Sequence, residues 1–394
     1  MSTKAFKYRI YPTEEQRVLL TRTFGSCRYV YNHCLAKASK AYQDYKANNS
    51  LPKPQTNYYE FAKQLQKLKQ TPEHLWLYET SSTALQQSLL RLGKAFSAFF
   101  KQKGKVGYPK FRSRYQRQSA TLPTTGFRVR NNQLFIAKST EPIQVAWSRE
   151  LPSEPTSATI TLDQSGHYYI SFICQYQPVP TNGQSIIGID LGIKTLATMS
   201  DSQIVSNPKH YIASQYKLTR LQRQLSHKTK GSSNRTKARV RLAKLHDHIA
   251  NQRQDYLHKL TSKLVSKNQA ICIENLNVAG MSRNRHLAKH ILDASFGYIR
   301  QLLTYKVLDS AWCRLLIADR YYPSTQLCSH CGSKPKPKIK LGVDRWVCQS
   351  CGAIHARDDN ASQNLEKLAI ASKALWQDLP GKIVLLDKYQ PSLT

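Results

Sequence analysis

Two Cys-x-x-Cys pairs, Cys328–Cys331 and Cys348–Cys351, stand sixteen residues apart near the C-terminal end, and each is followed by a glycine, Gly332 and Gly352. No other feature restricts the local fold as tightly. Four thiolates at this spacing close a tetrahedral site around one structural Zn²⁺, and the glycines allow the tight turns of a zinc ribbon. A redox dithiol or a set of unrelated thiols would explain neither the matched turns nor the lysine- and proline-rich loop between them. A closed four-thiolate site has no open coordination position, so it holds shape and leaves chemistry to residues elsewhere.

At 394 residues the chain exceeds the size at which a single core usually stops growing, so two or more domains are expected. It carries 59 Lys and Arg against 24 Asp and Glu, a net charge of +35. An excess of that size implies a polyanionic partner, nucleic acid first. The rival polyanion is a membrane surface. No apolar run approaches the roughly eighteen residues of a spanning helix, and no charged, apolar, cleavable leader opens the chain. A soluble intracellular protein is expected. The other five cysteines, Cys27, Cys34, Cys174, Cys272 and Cys313, are scattered and odd in number, which fits a reduced compartment rather than a disulfide framework.

Residues 4–10 alternate apolar and basic, as a strand does with one face buried and the other facing phosphate. Tyr11-Pro12-Thr13 ends it, and Thr13-Glu14-Glu15-Gln16 opens a helix predicted to run to about residue 48, with Gly25-Ser26 as a candidate break. Helices are predicted over 57–70 and 80–103, the latter with a core stripe of Leu85, Leu89, Leu92, Phe96, Phe99 and Phe100. From Lys101 to Arg117 seven Lys/Arg occur with no acid, interleaved with Tyr108, Phe111 and Tyr115, a composition suited to backbone contact and base stacking. Short strands follow to residue 180, with Asn131-Asn132 as a hairpin turn. They predict a small, barrel-like β domain. If strand 4–10 joins it, the helices between are an insertion.

Pro178 to Gln184 reads as a linker. Beyond it, Ser185-Ile186-Ile187-Gly188-Ile189-Asp190 is an apolar strand ending in an aspartate between glycines that permit close approach of backbone or phosphate. Alone this proves little, because turns favour aspartate. A second apolar strand, Ala270 to Ile273, stops at Glu274. Between them lies a helical region, about 208–267, in which Lys217 to Lys244 carries ten Lys/Arg and no acid, a basic face or hairpin for a nucleic-acid backbone. A helix is predicted at 294–310 and a strand at 312–318. After the cysteine ribbon Asp358 stands where a helix begins, either as an N-cap or as a third metal ligand. With Asp190 and Glu274 it would form a three-carboxylate cluster suited to Mg²⁺ or Mn²⁺, in the pattern of an RNase H-like fold.

These residues carry a specific resemblance. Gly188-Ile189-Asp190-Leu191-Gly192, Ile273-Glu274-Asn275-Leu276, Ser295-Phe296-Gly297, the cysteine ribbon and Arg357-Asp358-Asp359-Asn360-Ala361-Ser362-Gln363-Asn364 resemble the split RuvC motifs and zinc ribbon of TnpB. Tyr8-Arg9-Ile10-Tyr11-Pro12, Gln16 and Gly25 to Asn32 resemble the same family's opening, so the likeness spans about 5–365. The resemblance implies an α+β multidomain architecture. A wedge domain would use residues 1–10 and 119–182, interrupted by a helical recognition domain at 11–118. A RuvC-like nuclease domain would occupy 183–370, with the zinc ribbon at 324–354, and a tail would follow at 371–394.

The activity implied is RNA-guided cleavage of double-stranded DNA beside a short transposon-adjacent motif, with Asp190, Glu274 and Asp358 as catalytic Mg²⁺ ligands. Asp359 is the open alternative to Asp358. A guide RNA from the transposon end and target DNA are the implied partners, for a monomer in the prokaryotic cytoplasm at the nucleoid. Lys4, Lys7, Arg9, Arg28, Lys101, Lys105, Lys110, Arg112, Arg114, Lys237, Arg239 and Arg241 are candidate nucleic-acid contacts. Two rival functions are an RNA-guided repressor that binds without cutting, disfavoured because all three acids are present, and a transposase or its accessory.

Overall fold

The computed structural model describes residues 2–386 apart from 49, 103, 178–182, 341 and 380. Most of the expected linker, 178–184, lies outside the described residues. The chain divides into two units, Met1–Gln177 and Pro178–Thr394.

The first unit begins with β1 (Ser2–Tyr11), in which Phe6, Tyr8 and Ile10 are buried and Lys7 is exposed. There follow α1 (Glu14–Ala47), α2 (Tyr58–Gln70), a 3-10 segment (Pro72–Glu79) and α3 (Ser82–Lys101). The strands β2 (Gln118–Pro123), β3 (Phe127–Arg130), β4 (Gln133–Ile136), β5 (Gln144–Ala146), β6 (Pro155–Leu162) and β7 (Tyr168–Tyr176) complete it. Five of them form an antiparallel sheet in the order β2-β6-β7-β1-β5, so β1 lies inside it and the helices are carried between its first and second strands. The sheet has edges at β2 and β5, so among the described residues it is open rather than the barrel expected. Asn131 and Asn132, at φ 49° and 58°, turn the β3–β4 hairpin in the left-handed conformation that asparagine tolerates.

Thr13 and Gln16 form a reciprocal capping box at the head of α1. The helix then passes through Gly25-Ser26 without a break. Ser26 is buried, its hydroxyl donates to Arg22 O at 2.9 Å and accepts from Thr80 Oγ1 at 2.8 Å, and packing outweighs the weak propensity of the pair. Helices and sheet share one core, with Leu85, Leu89 and Leu92 of α3 in the same cluster as Tyr8, Ile160 and Phe172.

The second unit contains β8 (Ser185–Asp190), β9 (Thr195–Met199), β10 (Ile204–Ser206), α4 (His210–Ser226), α5 (Ser233–Lys267), β11 (Asn268–Ile273), α6 (Val278–Met281), α7 (Ala288–Ala294), α8 (Phe296–Leu308) and β12 (Arg314–Ala318). Then come the ribbon hairpin β13 (Arg345–Val347) and β14 (Ile354–Ala356), α9 (Arg357–Ala371), α10 (Lys373–Trp376) and β15 (Ile383–Leu386). The sheet order is β10-β9-β8-β11-β12-β15, with β8, β11, β12 and β15 mutually parallel, β9 antiparallel to β8, and β10 antiparallel to β9. The supposed tail from 371 therefore supplies a strand to this sheet, because Ile383 to Leu386 pair with Leu315 to Ala318.

Alternation divides the two faces of the sheet. Ile187, Ile189, Ile271, Ile273, Leu315 and Ile317 pack on the side of α5 and α8. Ala270, Cys272, Leu316 and Ala318 pack with Leu365, Leu368 and Ala369 of α9. Side chains of successive residues point to opposite faces. Gly188 and Asp190 therefore belong to the α9 face, and so does Glu274. Among the described residues no helix is long and apolar enough to cross a membrane.

Candidate active site

Asp190 is the last residue of β8, and Glu274 is the first beyond β11. The register pairs Ile273 with Ile189, so the two acids leave adjacent parallel strands at the same level, where neighbouring strands run about 4.8 Å apart. Helix α9 packs directly against β8. A Cβ on Gly188 would sit 2.0 Å from Ser362 O and 2.5 Å from Glu366 N, so only glycine admits the helix there. The close approach that glycine permits here is that of a helix backbone. It brings the head of α9, with Asp358, to the two strand ends.

The N-cap of α9 is Ala356, without a side-chain cap, and Asp358 is its second residue. The N-cap alternative is thereby removed. Helix-terminal N–H groups favour a carboxylate in that first turn. Asp358 is also the member of the Asp358–Asp359 pair whose charge bears on both Asp190 and Glu274.

Burial pushes the Asp190 carboxyl up to about 8, helped by the charges of Glu274 and Asp358 and opposed by Arg357. Burial also raises Glu274, against the Ser324 hydroxyl and Arg357, which pull it down. Asp190, Glu274 and Asp358 bear on one another electrostatically, opposed mainly by the Arg357 guanidinium. They are hard oxygen donors of the kind a divalent cation takes, although their oxygens do not all lie within 4.8 Å of one another as the four cysteine sulfurs do.

The raised value fixes a sign. Stability contributed by Asp190 is present below its unfolded value of about 4 and is lost as pH rises through about 8. Without added divalent cation, Asp190→Asn should melt several degrees above wild type at pH 8 and converge with it near pH 4. Mg²⁺ should stabilise wild type more at pH 8 than at pH 6. Thermal melts over that range check this, and equal melting temperatures at pH 8 would refute it.

Three further residues here are given no role by the sequence alone, Ser324 and two members of the motif that carries the resemblance, Asn360 and Asn364. The Ser324 hydroxyl donates to Glu274 Oε1. Asn364 Nδ2 donates to Ser324 O at 2.7 Å and Leu327 O at 2.8 Å, and Asn360 Nδ2 donates to Leu327 O at 2.7 Å. Asn360 Oδ1 accepts from Ser329 N at 2.8 Å. Helix α9 thus grips the chain just before and within the first cysteine turn.

The four Sγ atoms of Cys328, Cys331, Cys348 and Cys351 lie within 4.8 Å of one another, with Cys328–Cys351 at 3.6 Å and Cys331–Cys348 at 3.7 Å. A tetrahedron with Zn–S of about 2.3 Å has S–S edges of about 3.8 Å, so the cage fits one zinc ion. Gly332 and Gly352, at φ 73° and 74°, turn two matching knuckles, each closed by a glycine N–H onto the first cysteine carbonyl. Metal analysis should find about one zinc per chain, lost when Cys328 and Cys348 become serine. Zinc-free native protein would contradict the assignment.

The basic candidates are placed unevenly. Lys7 stacks over Tyr169 at 3.8 Å, Lys4 over Tyr176 at 4.8 Å, and Arg9 Nη1 donates to Tyr169 OH at 3.2 Å. Arg28 donates to Gln118. Lys101, Lys105, Lys110 and Arg114 are exposed. Arg112 is half-buried rather than fully exposed. Its guanidinium lies 3.7 Å over the Tyr31 ring and reaches Ser88 Oγ at 3.4 Å, while Asn32 holds its backbone. On α5, Lys237 and Arg241 share a helical face and line a cavity of about 520 Å³ with His227 and Lys228. Arg239 lies on a different face of that helix.

A family model described as "Probable transposase" (OrfB_IS605) matches residues 169–285, one described as "Cas12f1-like, TNB domain" matches 296–365, and one described as "Helix-turn-helix domain" matches 1–47. In this chain residues 1–47 hold β1 and a single uninterrupted α1. A Streptomyces pristinaespiralis protein named "Putative RNA-guided DNA endonuclease" is 40% identical over 94% of this chain and 90% of its own length. The Escherichia coli (strain K12) "Putative RNA-guided DNA endonuclease InsQ" is 32% identical over 92% and 91%. An Acanthamoeba polyphaga mimivirus "TnpB-like protein L79" is 26% identical over 57% and 45%. The chain belongs to the TnpB family. The TnpB relatives from Streptomyces and Escherichia align through both units.

Proposed function

We propose that this TnpB-family chain is an RNA-guided DNA endonuclease of an insertion sequence, cutting double-stranded DNA beside a short transposon-adjacent motif by Mg²⁺- or Mn²⁺-dependent phosphodiester hydrolysis. The observation that carries the reading is the convergence of Asp190, Glu274 and Asp358 at two parallel strand ends and one helix head. The names of the two full-length relatives support it. On this reading the five-stranded sheet with its inserted helices serves as wedge and recognition domain, and the second unit as the RuvC-like nuclease, in a monomer working in the prokaryotic cytoplasm.

A cation held there would activate water and stabilise the leaving oxygen of the cut strand. Asp190 and Glu274 would face it from fixed strand ends, and Asp358 from the first turn of α9. Arg357, whose charge already bears on Asp190 and Glu274, would steady negative charge on the phosphate. The basic surface would hold a guide RNA derived from the transposon end and the target DNA by their backbones, leaving sequence to base pairing.

Retention of all three acids weighs against a repressor that binds without cutting. The test is to sequence RNA that copurifies with the protein, reprogram it, and assay plasmid cleavage with Mg²⁺. Target binding without cleavage by wild type would leave the repressor reading standing.

A further inference from the structure

We propose that Ser324 is a positioning residue for Glu274, held in place by Asn360 and Asn364 of the helix that carries Asp358. The proposal rests on the nuclease reading and adds a residue which that reading does not require.

Glu274 stands just past the end of β11, half-buried, where its side chain keeps torsions that the strand does not fix. A carboxylate there can serve a cation only if one orientation prevails. The Ser324 hydroxyl supplies it by donating to Oε1, which leaves Oε2 and the remaining lone pair of Oε1 free to accept.

Ser324 is itself fixed. It is 3% exposed, its N–H donates to Tyr322 O at 2.9 Å, and its carbonyl accepts from Asn364 Nδ2 at 2.7 Å and from Asn360 Nδ2 at 3.3 Å. Asn360 and Asn364 are four residues apart, on one face of α9. Asp358 opens that helix, and Gly188 seats it against the strand of Asp190. The hydroxyl that orients the second acid is thus carried by the body that delivers the third. Neither a solvent-facing serine nor a flexible loop could do this.

A buried serine could instead serve packing alone, so the test must read the cation directly. Mn²⁺ binding to the purified full chain is measured from the free-Mn²⁺ paramagnetic resonance signal, beside zinc content and melting temperature. Ser324→Ala should weaken Mn²⁺ about 10- to 100-fold, the usual cost of losing a group that orients a metal ligand. Zinc content should stay at the wild-type level, and Ser324→Thr should restore affinity.

Wild-type Mn²⁺ affinity in Ser324→Ala overturns the proposal. If that variant also sheds zinc, Ser324→Thr and Ser324→Cys are compared at matched zinc content. Tighter Mn²⁺ binding by the threonine variant then supports the proposal, and equal binding overturns it. Wild type that binds Mn²⁺ no better than Asp190→Ala removes the nuclease reading itself.

Discussion

Asp190→Ala should lower guide-programmed cleavage about 1,000-fold or more while RNA and target binding persist, because a metal-borne contribution of several kcal/mol converts at tenfold per 1.36 kcal/mol. The variant should not lose activity by unfolding. Asp190 is 9% exposed among like charges, and burial has already pushed its carboxyl up to about 8. Removing it relieves a desolvated, repelling group, so the inactive variant should be the more stable protein when no divalent cation is present. A rate assay and a melt on one preparation separate the two effects. Cleavage by Asp190→Ala at the wild-type rate would move the chemistry away from this site.

Asp190 and Glu274 were legible because each interrupts a pattern. An apolar run stops at Asp190 and another at Glu274, and the breaks coincide with strand ends, where alternation assigns both side chains to one face. The cysteine knuckles were legible because spacing and turn glycine are local properties. What escaped is long-range. Ser324 finds Glu274 fifty residues back along the chain, and Asn364 finds Ser324 forty residues away. No period or motif encodes either pairing. Arg112 sits in a run of positive charge that reads as surface, yet it turns inward onto Tyr31.

Short strands failed for a related reason. β5 has three residues and β15 four, and each exists through its partner, Arg9 to Tyr11 in one case and Leu315 to Ala318 in the other. The second of these lies beyond residue 370, in the stretch that the resemblance leaves as a tail.

Gly188→Ala should unfold the second unit or expel α9 from its sheet. The added methyl would lie 2.0 Å from Ser362 O and 2.5 Å from Glu366 N, both backbone atoms that no rotamer change can move aside. Overpacking against side chains costs about 1–3 kcal/mol, and a rigid helix backbone should put this case at the top of that range or beyond it. Relief requires the helix to retreat, and its head takes Asp358 with it. The variant should therefore lose Mg²⁺-dependent stabilisation together with several degrees of melting temperature. Gly297→Ala provides the contrast within the same unit. Nothing lies within 4 Å of its added methyl, and an alanine inside α8 should stabilise by up to about 1 kcal/mol. Parallel melts of the two variants decide the matter. A Gly188→Ala protein as stable as wild type would mean that α9 does not rest on β8, and Asp358 would then have no fixed route to the other two acids.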